Sequence, residues 1–208
     1  MSGTTEPRLS ANTHRRLPGP ARRRQLLSVA RRHFANHGFH RSTMEDIATA
    51  ADITKPVLYQ HFSSKTELYE AVLDSCIELF EHQVITPLLL DLDGRERTRR
   101  MISNFMSVVI DDPAAYRLIF LSDMREQEQC RSKIDGLVER VSGRLSTTMQ
   151  ETSAIPAPES DFLAHSLVML AIGAAETISA NPSPSVQKRQ EFLLFQLVWG
   201  GVDGLDGA

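Results

Sequence analysis

The 208-residue sequence predicts an all-α protein in which a small three-helix head precedes a larger helical body. Apolar residues recur at helical spacing from residue 21 onward, and no run of alternating apolar and polar residues competes with that pattern. Helix-capping residues and prolines divide the chain into segments of helical length. Charge is also divided, because residues 1–69 carry 11 Lys and Arg against 5 Asp and Glu, whereas residues 70–208 carry 12 against 21. These observations place a boundary between head and body close to residue 69.

Residues 1–20 are rich in Ser, Thr, Gly, Pro and Arg and lack periodic apolar positions, which predicts a flexible basic arm. No apolar stretch follows the arginines of this arm, so it predicts neither a signal peptide nor a membrane anchor. The two cysteines, Cys76 and Cys130, lie far apart and have no metal-ligand spacing. They favour a reduced intracellular setting over a redox-sensing pair. We therefore expect a cytoplasmic protein with no membrane partner.

Residues 21–68 are expected to form the head, which begins with an amphipathic helix. Leu26, Ala30 and Phe34 recur at helical spacing in this segment. Gly38 is expected to close the helix as a C-terminal cap, because glycine readily adopts the left-handed conformation found there.

The second and third helices of the head are short and are separated by a tight turn. Ser42 and Thr43 each have an acid three positions later, which is the capping-box spacing of a helix start. Thr54 is expected to cap the third helix through its side-chain oxygen. Pro56 fits in the first turn of that helix, because amides there have no intrahelical partner. The third helix is predicted to end near Phe62.

The body, residues 69–208, is predicted to contain about six helices. A capping box from Ser64 to Glu67 begins a long fourth helix that joins head to body and stops before Pro87. The remaining helices are expected at about 95–110, 113–121, 125–151, 160–180 and 185–200, with prolines in the breaks between them.

Two short helices joined by a tight turn can present the second of them to the major groove of B-DNA. Amides at the helix starts and the hydroxyls of Ser42, Thr43 and Thr54 suit phosphate oxygens. Lys65 opposes the dipole of the helix that it begins, which indicates a phosphate partner. The arginines of the first helix and of the arm are further candidates for backbone or minor-groove contacts.

The third helix carries the candidates for reading bases. Lys55, Val57, Gln60 and His61 are expected to meet base edges, Val57 through a thymine methyl group, whereas the Tyr59 hydroxyl is expected to bind a phosphate. The complete set of candidate DNA-binding residues is Ser42, Thr43, Thr54, Lys55, Pro56, Val57, Tyr59, Gln60, His61 and Lys65. The alternative interpretation is an ordinary solvated surface.

The pattern T-x-x-x-I-A-x-A-A-x-I-T-K-P-x-L-Y-x-H-F-x-S-K-x-E-L, spelled by residues 43–68, resembles the DNA-binding head of the TetR family of bacterial regulators. The resemblance implies a three-helix helix-turn-helix domain followed by a ligand-binding and dimerisation body. It also implies a homodimer that binds a near-palindromic operator in double-stranded DNA.

A narrower resemblance extends into the body. The stretches KPVLYQHFSSKTELYEAVL (55–73), YRLIF (116–120) and WGG (199–201) are similar to actinobacterial TetR-type regulators of fatty acid synthesis, which sense long-chain acyl-CoA. This implies an apolar effector such as a long-chain acyl-CoA. The alternatives are a regulator of drug efflux or catabolic genes that senses an unrelated apolar molecule, and a lipid-sequestering protein that does not bind DNA.

The segment 160–180 is apolar on more than one face and is therefore expected to be buried on several sides. Together with the last helix it is the candidate subunit interface, in which four helices would pack across a two-fold axis. The candidate interface residues are Ala171, Ala175, Phe192, Phe195 and Trp199. The alternative is the core of a monomer.

A second apolar set is expected to surround the centre of the body, where flexible Met side chains would suit an adaptable apolar pocket. The candidate ligand-binding residues are Met101, Phe105, Val109, Tyr116, Phe120, Met149, Met169 and Gly173. Ordinary core packing is the alternative for each of them. No basic group for a nucleotide headgroup can be selected from the sequence.

The sequence indicates no metal site, no cofactor and no enzymatic activity. His33 and His37 are four positions apart, as zinc ligands can be, but no Glu follows His33 in the H-E-x-x-H pattern and no carboxylate is obviously placed to complete a site. No nucleophile elbow, phosphate-binding glycine loop or supported pair of catalytic carboxylates occurs.

Overall fold

The computed structural model describes residues 19–153, 155–180 and 183–203, and within them it contains nine α-helices, one 3₁₀ helix and no strand. The helices are α1 (Gly19–His37), α2 (Met44–Ala50), α3 (Lys55–His61), α4 (Lys65–Ile85), α5 (Gly94–Asp111), α6 (Pro113–Phe120), α7 (Glu128–Ser153), α8 (Ala157–Ser179) and α9 (Pro184–Asp203). The 3₁₀ helix, Thr86–Leu89, lies between α4 and α5. The predicted all-α fold is confirmed. The predicted arm lies outside the described residues except for its last two positions, which begin α1.

The first helix ends at the predicted glycine. Gly38 has a φ of +76°, which an L side chain rarely adopts, and its amide donates to the Phe34 carbonyl over 2.8 Å. Leu26, Ala30 and Phe34 are fully buried, so the periodic positions of α1 form its inward face.

Only one of the two candidate capping boxes forms at the start of α2. The Thr43 hydroxyl accepts from the Asp46 amide over 3.1 Å, and the Asp46 carboxylate accepts from the Thr43 amide over 3.1 Å. Ser42 is buried instead, and its hydroxyl donates to the Gly38 carbonyl over 2.7 Å. Ser42 therefore joins the end of α1 to the start of α2 rather than capping a helix.

The turn between α2 and α3 is a Schellman motif. Asp52 has a φ of +54°, a left-handed conformation that Asp tolerates better than most residues. The Ile53 amide donates to the Ala48 carbonyl over 3.0 Å, and the Asp52 amide donates to the Thr49 carbonyl over 3.1 Å. These bonds fix the angle at which α3 leaves α2.

Two further helix starts differ from the predicted capping. Thr54 precedes α3 with extended backbone but makes no side-chain cap hydrogen bond, so the prediction of a Thr54 cap is wrong. At α4 the Ser64 hydroxyl accepts from the Glu67 amide over 3.0 Å, as predicted. The Glu67 carboxylate reaches one residue further back than a capping box requires and accepts from the Ser63 amide over 2.7 Å.

The long helix α4 connects the head to the body, and its 21 residues span roughly 30 Å. One hydrophobic core runs along it, from Leu68 beneath the head to Phe80 and Val84 in the body. Helix α1 packs against both α4 and α6, so the head rests directly on the body.

Helices α4 and α7 run in the same direction, away from the head. The Lys133 ammonium pairs with Asp74 at 2.5 Å, and Arg140 pairs with Glu81 at 2.9 Å. Because both partners advance by seven residues between the two ion pairs, these contacts set the parallel register. Helix α5 packs against α4 and returns towards the head.

Helix α8 packs along α7, and a polar cluster fixes their contact. The Ser146 hydroxyl contacts the Ser160 hydroxyl at 2.9 Å and donates to the Asp161 carboxylate over 2.6 Å. Within the described residues, α8 is also the one helix long and apolar enough to cross a membrane, yet most of it is not buried in the chain. Its exposed apolar surface therefore needs a separate explanation.

Candidate functional site

Helix α3 presents an exposed polar face beside a buried anchor. Leu58 is 0% exposed and holds α3 on the core of the head, whereas Tyr59 is 44% exposed. Thr54, Lys55, Pro56 and Gln60 are also exposed, and Val57 and His61 are partly exposed. The structure thus brings the candidate base-reading residues together on one short helix at the surface.

The cationic group of Lys55 is only loosely held. Its ammonium lies 3.5 Å from the Glu45 carboxylate, and both side chains are at least half exposed. Such an ion pair contributes little to stability and is screened by salt. Lys55 can therefore exchange Glu45 for another partner at low cost.

The hydroxyls at the start of α2 are engaged within the head. Thr43 lies in its capping box, and hydrogen bonds from its hydroxyl and amide lower the pKa of the Asp46 carboxyl. Ser42 is 1% exposed. The candidate role of the Ser42 hydroxyl in phosphate binding is therefore corrected, because a buried hydroxyl bonded to Gly38 cannot reach a phosphate.

Lys65 also has partners within the head. Its ammonium donates to the carbonyls of Phe39 and Ser42 over 2.9 Å each, and it lies 4.2 Å from the centre of the Phe39 ring. Lys65 thus ties the start of α4 to the loop between α1 and α2. Its unusual position at a helix N-terminus is explained by these carbonyls, and a phosphate contact would have to use its remaining N–H.

Arg23 of α1 supports helix α3. Its guanidinium donates to the His61 carbonyl over 3.2 Å and lies 4.3 Å from the centre of the Phe62 ring. A cation at the last carbonyls of α3 stabilises that helix, because the C-terminal end of its dipole is negative. The sequence pattern of α1 predicted only DNA contacts for its arginines, and no local signal indicated this positioning role.

The body contains a partly open apolar cavity of about 310 Å³ between α4, α5, α6, α7, α8 and α9. Four of the predicted ligand-binding residues line it, namely Met101, Phe105, Phe120 and Met149. Most of the other lining side chains are aliphatic or aromatic. The volume lies at the lower end of the range for small-molecule sites.

The other four predicted ligand-binding residues do not line this cavity. Val109 and Tyr116 are each 1% exposed and are packed in the core, and burial raises the pKa of the Tyr116 phenol to about 12. Met169 and Gly173 lie on the outer side of α8. Apolar character alone could not separate these three environments.

Several lining residues were not predicted. They are Phe80 and Val84 from α4, Leu88 from the 3₁₀ helix, Leu137, Val138, Val141 and Leu145 from α7, Leu167, Val168 and Ile172 from α8, and Leu194 and Val198 from α9. The α7 residues recur at intervals of one, three or four positions, so the amphipathic pattern of that helix was a signal available in the sequence.

The cavity has a polar end opposite the head. Arg97 and Thr98 lie in or next to the first turn of α5, and Thr148 and Thr152 lie near the end of α7. Trp199 of α9 closes this end, where its ring lies 3.6 Å from the position that a Cβ on Gly94 would occupy. The opposite end is formed by Phe80, Phe105 and Phe120, whose rings pack edge to face at 5.4 and 5.5 Å between centres.

Helices α8 and α9 both expose large apolar side chains, and we call the surface that carries them the α8–α9 face. Its large members are Phe162, Met169, Leu170, Val186, Phe192, Leu193 and Leu197. Of the predicted interface residues, only Phe192 belongs to it. Ala171 and Trp199 line the cavity, and Ala175 and Phe195 are buried in the chain itself. The predicted helices thus have an exposed apolar face, but four of the five residues selected on them point inward.

Polar contacts join the head and the first turns of α4 to the two ends of α6, and one of them is the 3.9 Å approach of His40 to the Asp123 carboxylate. The Arg31 guanidinium of α1 pairs with the Asp112 carboxylate at 2.6 Å, and Asp112 is the N-cap of α6. The Tyr69 hydroxyl of α4 contacts the Ser122 hydroxyl at 2.5 Å, and burial raises the pKa of that phenol to about 12. These contacts lie next to helix α6, whose Phe120 lines the cavity.

His33 and His37 stack with their ring centres 4.4 Å apart, and a nitrogen of His37 lies 3.0 Å from the His33 carbonyl oxygen. Burial and the neighbouring His37 lower the pKa of His33. In the described part of the chain, no three His, Cys, Asp or Glu residues cluster as metal ligands would.

Comparison with known proteins identifies the family. Residues 26–72 match the family model described as bacterial regulatory proteins, tetR family. The HTH-type transcriptional activator FasR of Mycolicibacterium smegmatis is 33% identical over 187 residues, which cover 90% of this chain and 85% of the relative. The chain belongs to the TetR family. As a TetR-family member it is a DNA-binding transcriptional regulator and not an enzyme.

Solved structures share the fold of this TetR-family chain over most of its length. A TetR-like transcriptional regulator from Rhodococcus sp. RHA1 aligns with a TM-score of 0.76 at 24% identity and covers 91% of this chain and 100% of its own. AibR, solved in complex with isovaleryl coenzyme A and operator DNA, aligns with a TM-score of 0.67 at 20% identity and covers 85% of this chain and 97% of its own.

Proposed function

We propose that this TetR-family regulator acts in the cytoplasm as a homodimer whose two α3 helices enter successive major grooves of a near-palindromic operator. The observation that carries the proposal is the joint presence of an exposed, groove-sized helix and an apolar cavity on one continuous core. The first supplies DNA contacts and the second receives an effector.

The proposed base-reading residues are Lys55, Val57, Gln60 and His61. The proposed phosphate-binding groups are the hydroxyls of Tyr59 and Thr54. Lys55 has only a loose ion pair to give up, and Thr54 makes no cap bond that a phosphate would have to break. Helix α3 has seven residues, which matches the few side chains that one recognition helix places on base edges.

The proposed dimer forms through the α8–α9 face. Large contiguous apolar patches on a soluble chain mark interaction sites, and two helices from each subunit can form a four-helix bundle across a two-fold axis. The same contact explains why α8 is apolar enough to resemble a membrane-crossing helix although most of it is not buried within one chain.

The effector is proposed to be a molecule with an apolar chain, such as a long-chain acyl-CoA. The lining of the cavity supports an apolar group. The resemblance of residues 55–73, 116–120 and 199–201 to regulators that sense acyl-CoA and the complex of AibR with isovaleryl coenzyme A favour an acyl thioester. An unrelated apolar molecule is the alternative, because the cavity volume of about 310 Å³ also suits a compact ligand.

The effector acts by shifting the equilibrium between two arrangements of the heads. An occupant of the cavity touches Phe105 of α5 and Phe120 of α6, and α6 is capped by Asp112, which pairs with Arg31 of α1. Movement of α6 therefore changes the position of the head relative to the body. The change in operator affinity equals the difference in effector affinity between the two arrangements.

Selection of bound duplexes from a random DNA pool, followed by gel-shift titration of the enriched sequences, tests the DNA part of this proposal. We expect enrichment of inverted repeats whose half-sites lie about one helical turn apart. Enriched sequences without two-fold symmetry would contradict the proposed dimer on its operator. Native mass spectrometry of the purified protein then identifies any co-purifying effector.

The dimer is tested by sedimentation velocity of the Leu197→Glu variant. Leu197 is 62% exposed on the α8–α9 face, so a buried carboxylate there should convert the dimer into a monomer. The matched control is Leu89→Glu, which changes a leucine that is 63% exposed on the 3₁₀ helix. A Leu197→Glu protein that sediments as the wild type does would rule out this face.

A further inference from the structure

Among the residues that line the cavity, Arg97 is the one charged side chain. Its Nη2 donates to the Leu92 carbonyl over 2.8 Å, which holds the guanidinium at the polar end of the cavity. Its Nε is buried and has no hydrogen-bond partner, and no carboxylate in the described part of the chain lies within 4.0 Å of the group. The nearest acid in sequence, Glu96, is bound by Arg99 and Arg100 instead.

A buried donor on a charged group without a partner costs free energy, and a charge is usually kept in such a place by a counter-ion. The neighbouring threonines cannot supply one. The hydroxyls of Thr98, Thr148 and Thr152 each donate their hydrogen to a carbonyl four residues earlier in their own helix. They therefore offer only acceptor oxygens to the cavity, and the N–H groups of Arg97 are left as donors for an anion.

The direction of the helices fixes where this donor lies. Helices α4 and α7 run away from the head, and α5 runs back to the Arg31–Asp112 contact. Arg97 lies eight residues before Phe105 on α5, which places it roughly 12 Å further from the head along the helix. The charged end and the aromatic end of the cavity are thus at opposite ends of its long direction.

We propose that the effector of this regulator is amphipathic, that Arg97 binds its oxyanion at the end of the cavity far from DNA, and that its apolar chain points towards Phe105 and Phe120. This rests on the proposed function of the cavity as an effector site. The planar fork of a guanidinium matches the oxygen spacing of both a carboxylate and a phosphate. The oxyanion is therefore either the carboxylate of a free fatty acid or a phosphate of an acyl thioester of coenzyme A.

Calorimetric titration with three probes of the same chain length tests the charge requirement: dodecanoic acid, dodecanoyl-CoA and the neutral 1-dodecanol. With the wild-type protein we expect the acid or the thioester to bind at least about tenfold more tightly than the alcohol, because a hydrogen bond to a charged group contributes more than one to a neutral group. The tighter of the two anionic probes identifies the source of the oxyanion.

In the Arg97→Met variant the preference for the anionic probe should disappear, while the affinity for the alcohol stays within about threefold. Arg97→Lys should retain part of the preference. The matched control is Arg100→Met, which changes an exposed arginine that pairs with Glu96 four positions earlier, and it should keep the full preference. An Arg97→Met protein with an unchanged preference overturns the assignment.

The orientation is tested without any substitution, because Trp199 is the single tryptophan of the chain and lies at the polar end of the cavity. Dodecanoic acid brominated next to its carboxylate should quench Trp199 fluorescence more strongly than the acid brominated at the far end of its chain. The reverse order would overturn the proposed orientation. Failure of all three calorimetric probes to bind would instead reject the effector site itself, so the two proposals fail differently.

Discussion

Lys55 and Tyr59 lie one helical turn apart on α3 but are expected to contact different parts of DNA. Lys55→Ala should reduce discrimination between operator and non-operator DNA by about 1–3 kcal/mol, because it removes a contact to a base edge. Tyr59→Phe should weaken both kinds of DNA alike, because it removes a phosphate contact. Gel-shift titrations at two salt concentrations measure both effects. Equal loss of discrimination in the two variants would contradict this division of roles.

Lys65 has partners in the fold that its position in the sequence does not reveal. Its position at a helix N-terminus suggested a phosphate, and the two carbonyls that surround its ammonium are brought there by the α1–α2 loop, more than twenty residues earlier. Lys65→Met should lower the free energy of unfolding by about 1–3 kcal/mol through loss of these charged hydrogen bonds. Lys55→Met, at an exposed position, should change it by less than about 0.5 kcal/mol.

Denaturant unfolding of the two methionine variants provides the comparison. Equal stability of Lys65→Met and Lys55→Met would show that the carbonyl contacts contribute nothing. In that case the position of Lys65 at a helix N-terminus would again favour a phosphate partner.

At the scale of helices, the end of α1 depends on one backbone conformation. Gly38→Ala should destabilise the protein by about 1 kcal/mol, because an L side chain is strained at a φ of +76° even where space is available. The space is sufficient, since an added Cβ would meet its nearest neighbour, the Asp123 carboxylate, at 3.5 Å.

Gly143→Ala in α7 is the matched control for that substitution. Gly143 is exposed in a helix interior and an added Cβ would meet nothing within 4 Å. This change should stabilise by about 0.5–1 kcal/mol, since alanine is the better helix former. Thermal unfolding in parallel measures both, and the same sign for the two variants would refute the argument.

The start of α5 gives the protein a pH dependence. Hydrogen bonds from Arg99 and Arg100 lower the pKa of the Glu96 carboxyl from 4.5 to about 2. Because the folded pKa lies below the unfolded one, the stabilisation is complete above about 4.5 and is lost as the pH falls towards 2. Glu96→Gln should therefore show a smaller fall in unfolding temperature over that range than the wild type. Parallel curves for the two proteins would contradict it.

At the scale of the whole molecule, the contact between head and body decides whether an effector can influence DNA binding. Arg31→Leu removes the ion pair to Asp112 and should bring operator affinity with and without dodecanoyl-CoA towards the same value, while binding of the acyl probe persists. Arg32→Leu is the control, since the one hydrogen bond of the Arg32 side chain within the described residues goes to Ser28 of its own helix. Fluorescence anisotropy of labelled operator measures both. Unchanged coupling between effector and operator in Arg31→Leu would exclude the Arg31–Asp112 contact as its route.

The sequence by itself determined the all-α fold, most helix boundaries and the exposed face of α3. The Gly38 cap, the Thr43 capping box and the spacing of Leu26, Ala30 and Phe34 are local signals, because a helix is closed by residues within a few positions of its own ends. The prolines behaved less simply, since Pro158 and Pro184 lie in the first turns of α8 and α9 rather than in the breaks before them.

Tertiary structure alone decided which face of each body helix meets which neighbour. Helix α8 is apolar on several sides, so its sequence could not tell that Ala171 lines the cavity, that Ala175 is buried and that Met169 faces outward. The charge of Arg97 was equally visible in the chain, but the sequence could not tell that no carboxylate of the described residues lies within 4.0 Å of it, because that depends on how the helices pack. The spacing of apolar residues shows that one side of a helix is apolar. Which neighbouring element that side contacts is decided by tertiary packing.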